Sequence, residues 1–166
     1  MDDPDSVWRC ATCGYCVANC PREVPIIDVI RAMRSMTGSA GGQPPQVRAM
    51  LAAARQDGNP WGGEPAARNA WARPLDAPAF DGTQEWLLYA CCTISYDPGA
   101  RSPGLAMLKL LRAAGVSFGL APADAVCCGC SVRESGDAEL TERLGRTNVA
   151  LFGAAGARKV LTTSPR

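Results

Sequence analysis

The chain of 166 residues contains no histidine. That absence excludes a Ser–His or Cys–His nucleophile pair, a Rieske-type centre, a haem on a proximal histidine and any zinc site built with imidazole. Charge of one sign is lacking too. With 17 basic and 16 acidic residues the net charge is +1, so the basic excess that marks a nucleic-acid or anionic-membrane binder is missing. No apolar run reaches the roughly 20 residues that cross a bilayer. The opening Met1-Asp2-Asp3-Pro4-Asp5 is acidic where a signal peptide is basic and then apolar. The expectation is a cytoplasmic protein, or one peripheral to the inner face of a membrane through partners, with no transmembrane segment in this chain and no nucleic-acid partner. No paired carboxylates offer themselves for acid–base work.

What the chain has is thiol. Its nine cysteines are odd in number and fall in ligand-like groups, which favours metal binding in a reducing compartment over secreted disulfides. The run Cys10-Ala-Thr-Cys13-Gly-Tyr-Cys16-Val-Ala-Asn-Cys20-Pro21 has the spacing of a [4Fe–4S] cradle. Soft thiolates suit iron–sulfur clusters, and two-residue loops let successive sulfurs converge while backbone N–H groups turn inward. Zinc and a disulfide framework are the rival readings, although a zinc ribbon separates its two Cys-x-x-Cys pairs by a longer loop. In the two-cluster form of this motif the fourth cysteine ligates the other cluster. Cys20 therefore calls for a second centre, its motif expected on a missing or partner segment unless another cysteine stands in. Tyr15 and Val17 are read as shields between cluster and water.

The organisation falls into three parts. Residues 1–38 carry the cluster motif and a helix from Val24 to Met36, with Ile26, Ile27, Val29, Ile30, Met33 and Met36 largely on one face, Arg31 and Arg34 outward, and Gly38 as its stop. Residues 39–83 form a Gly/Pro-rich connecting segment with one helix, Gln46 to Gln56, ended by Asp57-Gly58-Asn59-Pro60. This segment is either a surface linker or a docked strap, and Trp61 and Trp71 favour docking. In residues 84–166 the pattern changes to strand Glu85–Cys91, helix Pro103–Ala114, strand Val116–Leu120, helix Ala138–Ala155 and strand Lys159–Thr163. The fold class is α/β, a small helical cluster-binding segment followed by a small parallel sheet with helices. Cys91-Cys92 and Cys127-Cys128-Gly129-Cys130 follow strands, which places both groups at the carboxyl edge of the sheet.

These residues carry a resemblance. Leu88-Tyr89-Ala90-Cys91-Cys92 through Asp97-Pro98, then Leu111 to Phe118, then Cys127-Cys128-Gly129, resemble the cysteine-rich CCG domain of heterodisulfide-reductase-like iron–sulfur oxidoreductases. Trp8 to Arg22, running on to Val29–Arg34, resembles the second ferredoxin motif of the same proteins, and Gly58-Asn59-Pro60-Trp61-Gly62 with Arg68 and Trp71 is similar to their joining segment. The resemblance implies an electron relay from a partner through [4Fe–4S] cubanes to a second iron–sulfur cluster at the CCG cysteines. By position it implies Cys10, Cys13, Cys16 and Cys20 as cubane ligands, and Cys92, Cys127 and Cys128 at the second site. Cys91 replaces a usual Gly and Cys130 is an extra. Ser164 takes the first place of the family's terminal Cys-x-x-Cys, so the CCG domain is expected to be incomplete, as in a fragment of a longer chain or a short subunit completed by partners. Implied partners are other redox subunits: a flavoprotein, an iron–sulfur protein or a membrane cytochrome or quinone subunit. The alternatives are a non-catalytic docking component of a flavin dehydrogenase of the glycolate, lactate or glycerol-3-phosphate type, and a structural metal-binding module.

Overall fold

The computed structural model describes residues 6–163. A short 3₁₀ turn, Ser6–Arg9, leads into the cysteine motif, whose one regular piece is α1 (Tyr15–Ala18). Helices α2 (Ile26–Ser39) and α3 (Pro45–Gln56) follow, and α3 starts with the proline that a first turn accommodates. Two further 3₁₀ turns, Pro65–Ala67 and Ala70–Leu75, precede β1 (Trp86–Tyr89). Then come α4 (Cys92–Tyr96), α5 (Arg101–Ala113), β2 (Phe118–Leu120), α6 (Cys130–Glu134), α7 (Ala138–Ala154) and β3 (Val160–Thr162).

The three strands form one parallel sheet in the order β2-β1-β3. Parallel neighbours require long crossovers, which α5 and α7 help to supply. Central β1 is covered on both faces, Leu87 packing with Ala121 and Ala125 and Leu88 with Leu108, Phe118 and Trp71. A strand buried on both sides reads as a continuous apolar run instead of an alternating one, which is how Trp86-Leu-Leu-Tyr89 reads. The α/β reading stands.

Three local expectations are corrected. Helix α2 runs through Gly38 to Ser39, and the left-handed residue after it is Gly41, at φ 80°. One helical glycine costs only about 1 kcal/mol, and the amides of Gly41 and Gly42 close the end onto the carbonyls of Gly38 and Thr37. Arg34 does not face outward; it is the buried residue of α2, while Val29 and Met36 of the supposed core face are exposed. The guanidinium tolerates burial because three backbone carbonyls accept from it.

The segment between the cysteine motif and the sheet is no loose strap. Leu51 and Ala54 of α3 share a cluster with Cys92, Cys127, Val132, Leu140 and Leu144. Trp71 and Ala72 pack with Leu88, Leu108 and Phe118. Of the two indoles, Trp71 is buried and Trp61 is half exposed, so only one of them docks.

Candidate cysteine sites

The first site is a loop shaped by unusual backbone angles. Thr12 and Gly14 adopt left-handed conformations, φ 51° and 81°, which wind the chain around Cys10, Cys13 and Cys16. The Thr12 amide donates to the Cys10 sulfur at 3.4 Å. The backbone amide of Val24, then that of Arg22, hold the Cys20 thiol below its ordinary value. N–H groups aimed at sulfur are what a thiolate-bound cluster requires of its loop. Cys13 and Cys16 are exposed, Cys10 and Cys20 half buried. Tyr15 and Val17, read as shields, stand in solvent, Tyr15 at 73% exposure.

Arg34 ties this loop to the rest of the molecule. Its Nε and Nη2 donate to the Val7 carbonyl at 3.0 and 2.9 Å, Nη2 also to that of Cys10 at 2.5 Å, and Nη1 to that of Glu134 at 2.7 Å. The guanidinium lies 5.3 Å from the centre of the Trp8 ring. One turn earlier, Arg31 pairs with the Glu134 carboxylate at 2.5 Å. Helix α2, which follows the motif, is thereby latched to the end of α6. Gly136 permits this approach: a Cβ there would stand 2.5 Å from the Ser35 amide.

The second site lies beyond the carboxyl ends of β1 and β2. Cys92 opens α4, and Cys127 and Cys128 sit in the loop before α6, whose N-terminal residue Gly129 has φ 84°. The Cys127 thiol lies between the other two, in hydrogen-bonding reach of Cys92 and of Cys128. The Cys127 bond brings the Cys92 thiol down to about 7 against its burial, helped by the charge of Arg68. The same thiol, then the amide of Cys130, brings Cys128 down to about 6, also against burial. Cys127 moves the other way, pushed up by donating to both neighbours and by burial.

Several buried side chains hold these sulfurs in place. Asn148 accepts from the Val126 amide at 2.9 Å and donates to the carbonyls of Val126 and Cys127 at 3.0 and 3.3 Å. Tyr89 donates to the Val126 carbonyl, and the Gly58 carbonyl accepts from the Cys127 amide at 2.7 Å. Arg68 donates to the Ala90 carbonyl at 2.9 Å and the Cys92 sulfur at 3.7 Å. The sequence gives Asn148 no role, since nothing in a helix interior announces which polar group turns toward a distant loop. Tyr89 and Arg68 had one signal each, as parts of the resembling segments. Cys91 stands at the N-cap position of α4 and its amide donates to Thr163 Oγ1 at 2.9 Å, and Cys130 is half buried. Ser164 lies outside the described residues.

Both sites open onto one cleft of about 770 Å³, lined by Thr12, Cys13 and Arg31 on one side and by Cys128, Cys130 and Glu134 on the other. All nine cysteines are free thiols, and among the described residues no three His, Cys, Asp or Glu side chains gather as ligands of one ion. An all-thiolate donor set with backbone amides on its sulfurs fits an iron–sulfur cluster at the first loop, and the Cys92, Cys127, Cys128 group with Arg68 beside it fits an anionic sulfur centre at the second.

Comparison with known proteins agrees with this chemistry. Residues 86–166 match the cysteine-rich domain CCG. The chain is 30% identical to an EtfAB:quinone oxidoreductase of Syntrophomonas wolfei over 97% of its own length and 24% of that protein. It is 28% identical to a probable membrane-anchored ferredoxin of Chromohalobacter salexigens over 98% of its length and 25% of the relative. To one component of the dihydromethanophenazine:CoB–CoM heterodisulfide reductase of Methanosarcina barkeri it is 27% identical, over 95% of the chain and 38% of the relative. The chain therefore spans between 24% and 38% of the length of these relatives. No solved structure matches it. Residues 86–166 thus match the cysteine-rich CCG domain, in a chain that is similar over nearly its whole length to an EtfAB:quinone oxidoreductase and to a heterodisulfide reductase component.

Proposed function

We propose that this chain is an electron-transfer module of a heterodisulfide-reductase-like oxidoreductase, receiving electrons from a redox partner at the Cys10–Cys20 loop and delivering them to the CCG cysteines. Cys10, Cys13 and Cys16 hold one [4Fe–4S] cluster, Cys20 serves a second, and Cys92, Cys127 and Cys128 hold a further iron–sulfur centre. The observation that carries this reading is the shared cleft, onto which Cys13 and Cys128 both open. Bound clusters supply one-electron transfer between thiolate-held irons. The chain supplies the rest. Backbone amides of Thr12, Arg22 and Val24 bond the sulfurs of Cys10 and Cys20, which stabilises the added negative charge of a reduced centre. Arg34 and the Arg31–Glu134 pair hold the loop against α6 and so fix the separation of the two sites.

No helix among the described residues is long and apolar enough to cross a membrane, so we place any contact with quinone or membrane on partner subunits. One relative is named a quinone oxidoreductase and another a membrane-anchored ferredoxin, which supports partners of that kind for this chain too.

Anaerobic purification, iron and sulfide analysis and EPR test the proposal. The expected result is brown protein in which Cys20→Ala loses one cubane signal while the Cys10–Cys16 cluster survives, and Cys127→Ser lowers iron further at the CCG site. Colourless protein holding zinc, or iron that no CCG substitution changes, would sink it.

A further inference from the structure

Arg68 is 1% exposed, and its guanidinium does not deprotonate in proteins. A buried, permanent cation needs a counter-charge. None of the ion pairs among the described residues brings a carboxylate to it. Its partners are the Ala90 carbonyl at 2.9 Å, the Cys92 sulfur at 3.7 Å, the Tyr96 hydroxyl, and the face of the Tyr89 ring, 5.0 Å from guanidinium to centroid. A carbonyl, a phenol hydroxyl and a ring face supply partial charge only. The partner able to carry a full negative charge is the Cys92 sulfur, 3.7 Å from Nη1.

The position is also fixed. Nη2 on the Ala90 carbonyl and the stack on Tyr89 leave Nη1 directed at Cys92, and Tyr89 is itself bonded to the Val126 carbonyl just before Cys127. Both residues that hold Arg68 thus belong to the strand end that delivers Cys92.

We propose that Arg68 is the built-in counter-cation of the CCG sulfur centre, a positioning residue that pairs with the Cys92 sulfur and sets the centre's reduction potential. A fixed positive charge beside the centre favours its reduced, more negative form and so raises the potential; taking the charge away lowers it. The inference rests on the proposed presence of a metal-bound sulfur centre at these cysteines. It assigns to a residue of the connecting segment a role in electron transfer without any contact to the first cysteine loop.

The test is an EPR-monitored redox titration of the full chain, with all clusters in place, for wild type, Arg68→Lys, Arg68→Gln and Arg68→Met. The Cys10–Cys16 cluster serves as an internal reference for folding and for the electrode scale. At the potential where the wild-type CCG centre is half reduced, the neutral variants should show the ratio of reduced to oxidised centre lowered about tenfold, equivalent to about 59 mV for one electron. Arg68→Lys should stay within about threefold of wild type, and the reference cluster should not move in any variant. A ratio changed less than twofold in a folded neutral variant overturns the inference. So does failure of both neutral variants to fold, because Arg68 would then serve the fold before the centre. Wild-type protein whose iron content is insensitive to Cys92→Ser overturns the functional reading and this inference with it, whereas CCG-dependent iron with an unmoved potential overturns this inference alone.

Discussion

Replacing Arg34 by Met should release the first cysteine loop. The methionine keeps most of the aliphatic stem and hence its packing. What disappears is the guanidinium that serves the carbonyls of Val7, Cys10 and Glu134 at 2.5 to 3.0 Å. A buried acceptor left unsatisfied costs about 1–3 kcal/mol. Of the four bonds, those to the Cys10 and Glu134 carbonyls are only partly buried, so water recovers part of that loss and the total should come to about 3–5 kcal/mol. Against a typical stability of about 5–15 kcal/mol this is severe. Arg31→Met is the matched control, since its ion pair with Glu134 is a quarter exposed at 21% and 24% and should contribute about 1 kcal/mol or less. Anaerobic urea denaturation followed by tryptophan fluorescence would report both, because Trp8 lies against the Arg34 guanidinium. Hydrogen exchange should show the loss concentrated in residues 7–20 and nearly absent from β1. A loss below about 1 kcal/mol, or protection unchanged at Val7 and Cys10, would refute the idea that Arg34 anchors the loop.

Burial of the Glu134 carboxyl would raise its pKa, but the hydrogen bond and charge of Arg31 overcome this and hold it below its ordinary value. Its contribution is therefore fully present above the ordinary glutamate value of about 4.3 and lost as pH falls through the lowered folded value. Glu134→Gln should accordingly be less stable than wild type by about 1 kcal/mol at neutral pH, with the difference shrinking as pH falls below the ordinary glutamate value, and a difference that does not shrink in acid would contradict the assignment. Asn148→Ala removes three bonds to the Val126–Cys127 backbone and should cost about 2–4 kcal/mol by urea denaturation, with lower iron retention at the CCG site. Cys91→Ser and Cys130→Ser should leave iron content unchanged. A fall in either equal to that of Cys127→Ser would show that the family's sulfurs were mapped onto the wrong positions.

Much of the molecule follows from local signals. The spacing of Cys10, Cys13, Cys16, Cys20 and Pro21 depends on chain geometry alone, since two-residue loops bring sulfurs together whatever the rest of the fold does. Apolar runs and helical periodicity sufficed for β1, β2, β3, α3, α5 and α7, with ends off by up to two residues because terminal pairing depends on neighbours. Helix α2 was legible as a helix and misjudged as to its faces. Periodicity locates an apolar stripe, but Arg34 is buried because three carbonyls from two distant stretches of chain, Val7 and Cys10 in one and Glu134 in the other, meet at its guanidinium.

The sequence alone determined the chemistry available to this protein: thiolate ligands, no imidazole, and a parallel sheet with cysteines after its strands. Tertiary structure alone decided which groups meet. It joined Cys92 to Cys127 across 35 positions, put Arg68 from a Gly/Pro-rich stretch against the Cys92 sulfur, and set Cys13 and Cys128 on one cleft. Spacing in the chain can bring together sulfurs a few residues apart. Bringing together groups from distant elements takes the packing of those elements on a common core, and here that core includes Cys92 and Cys127 themselves.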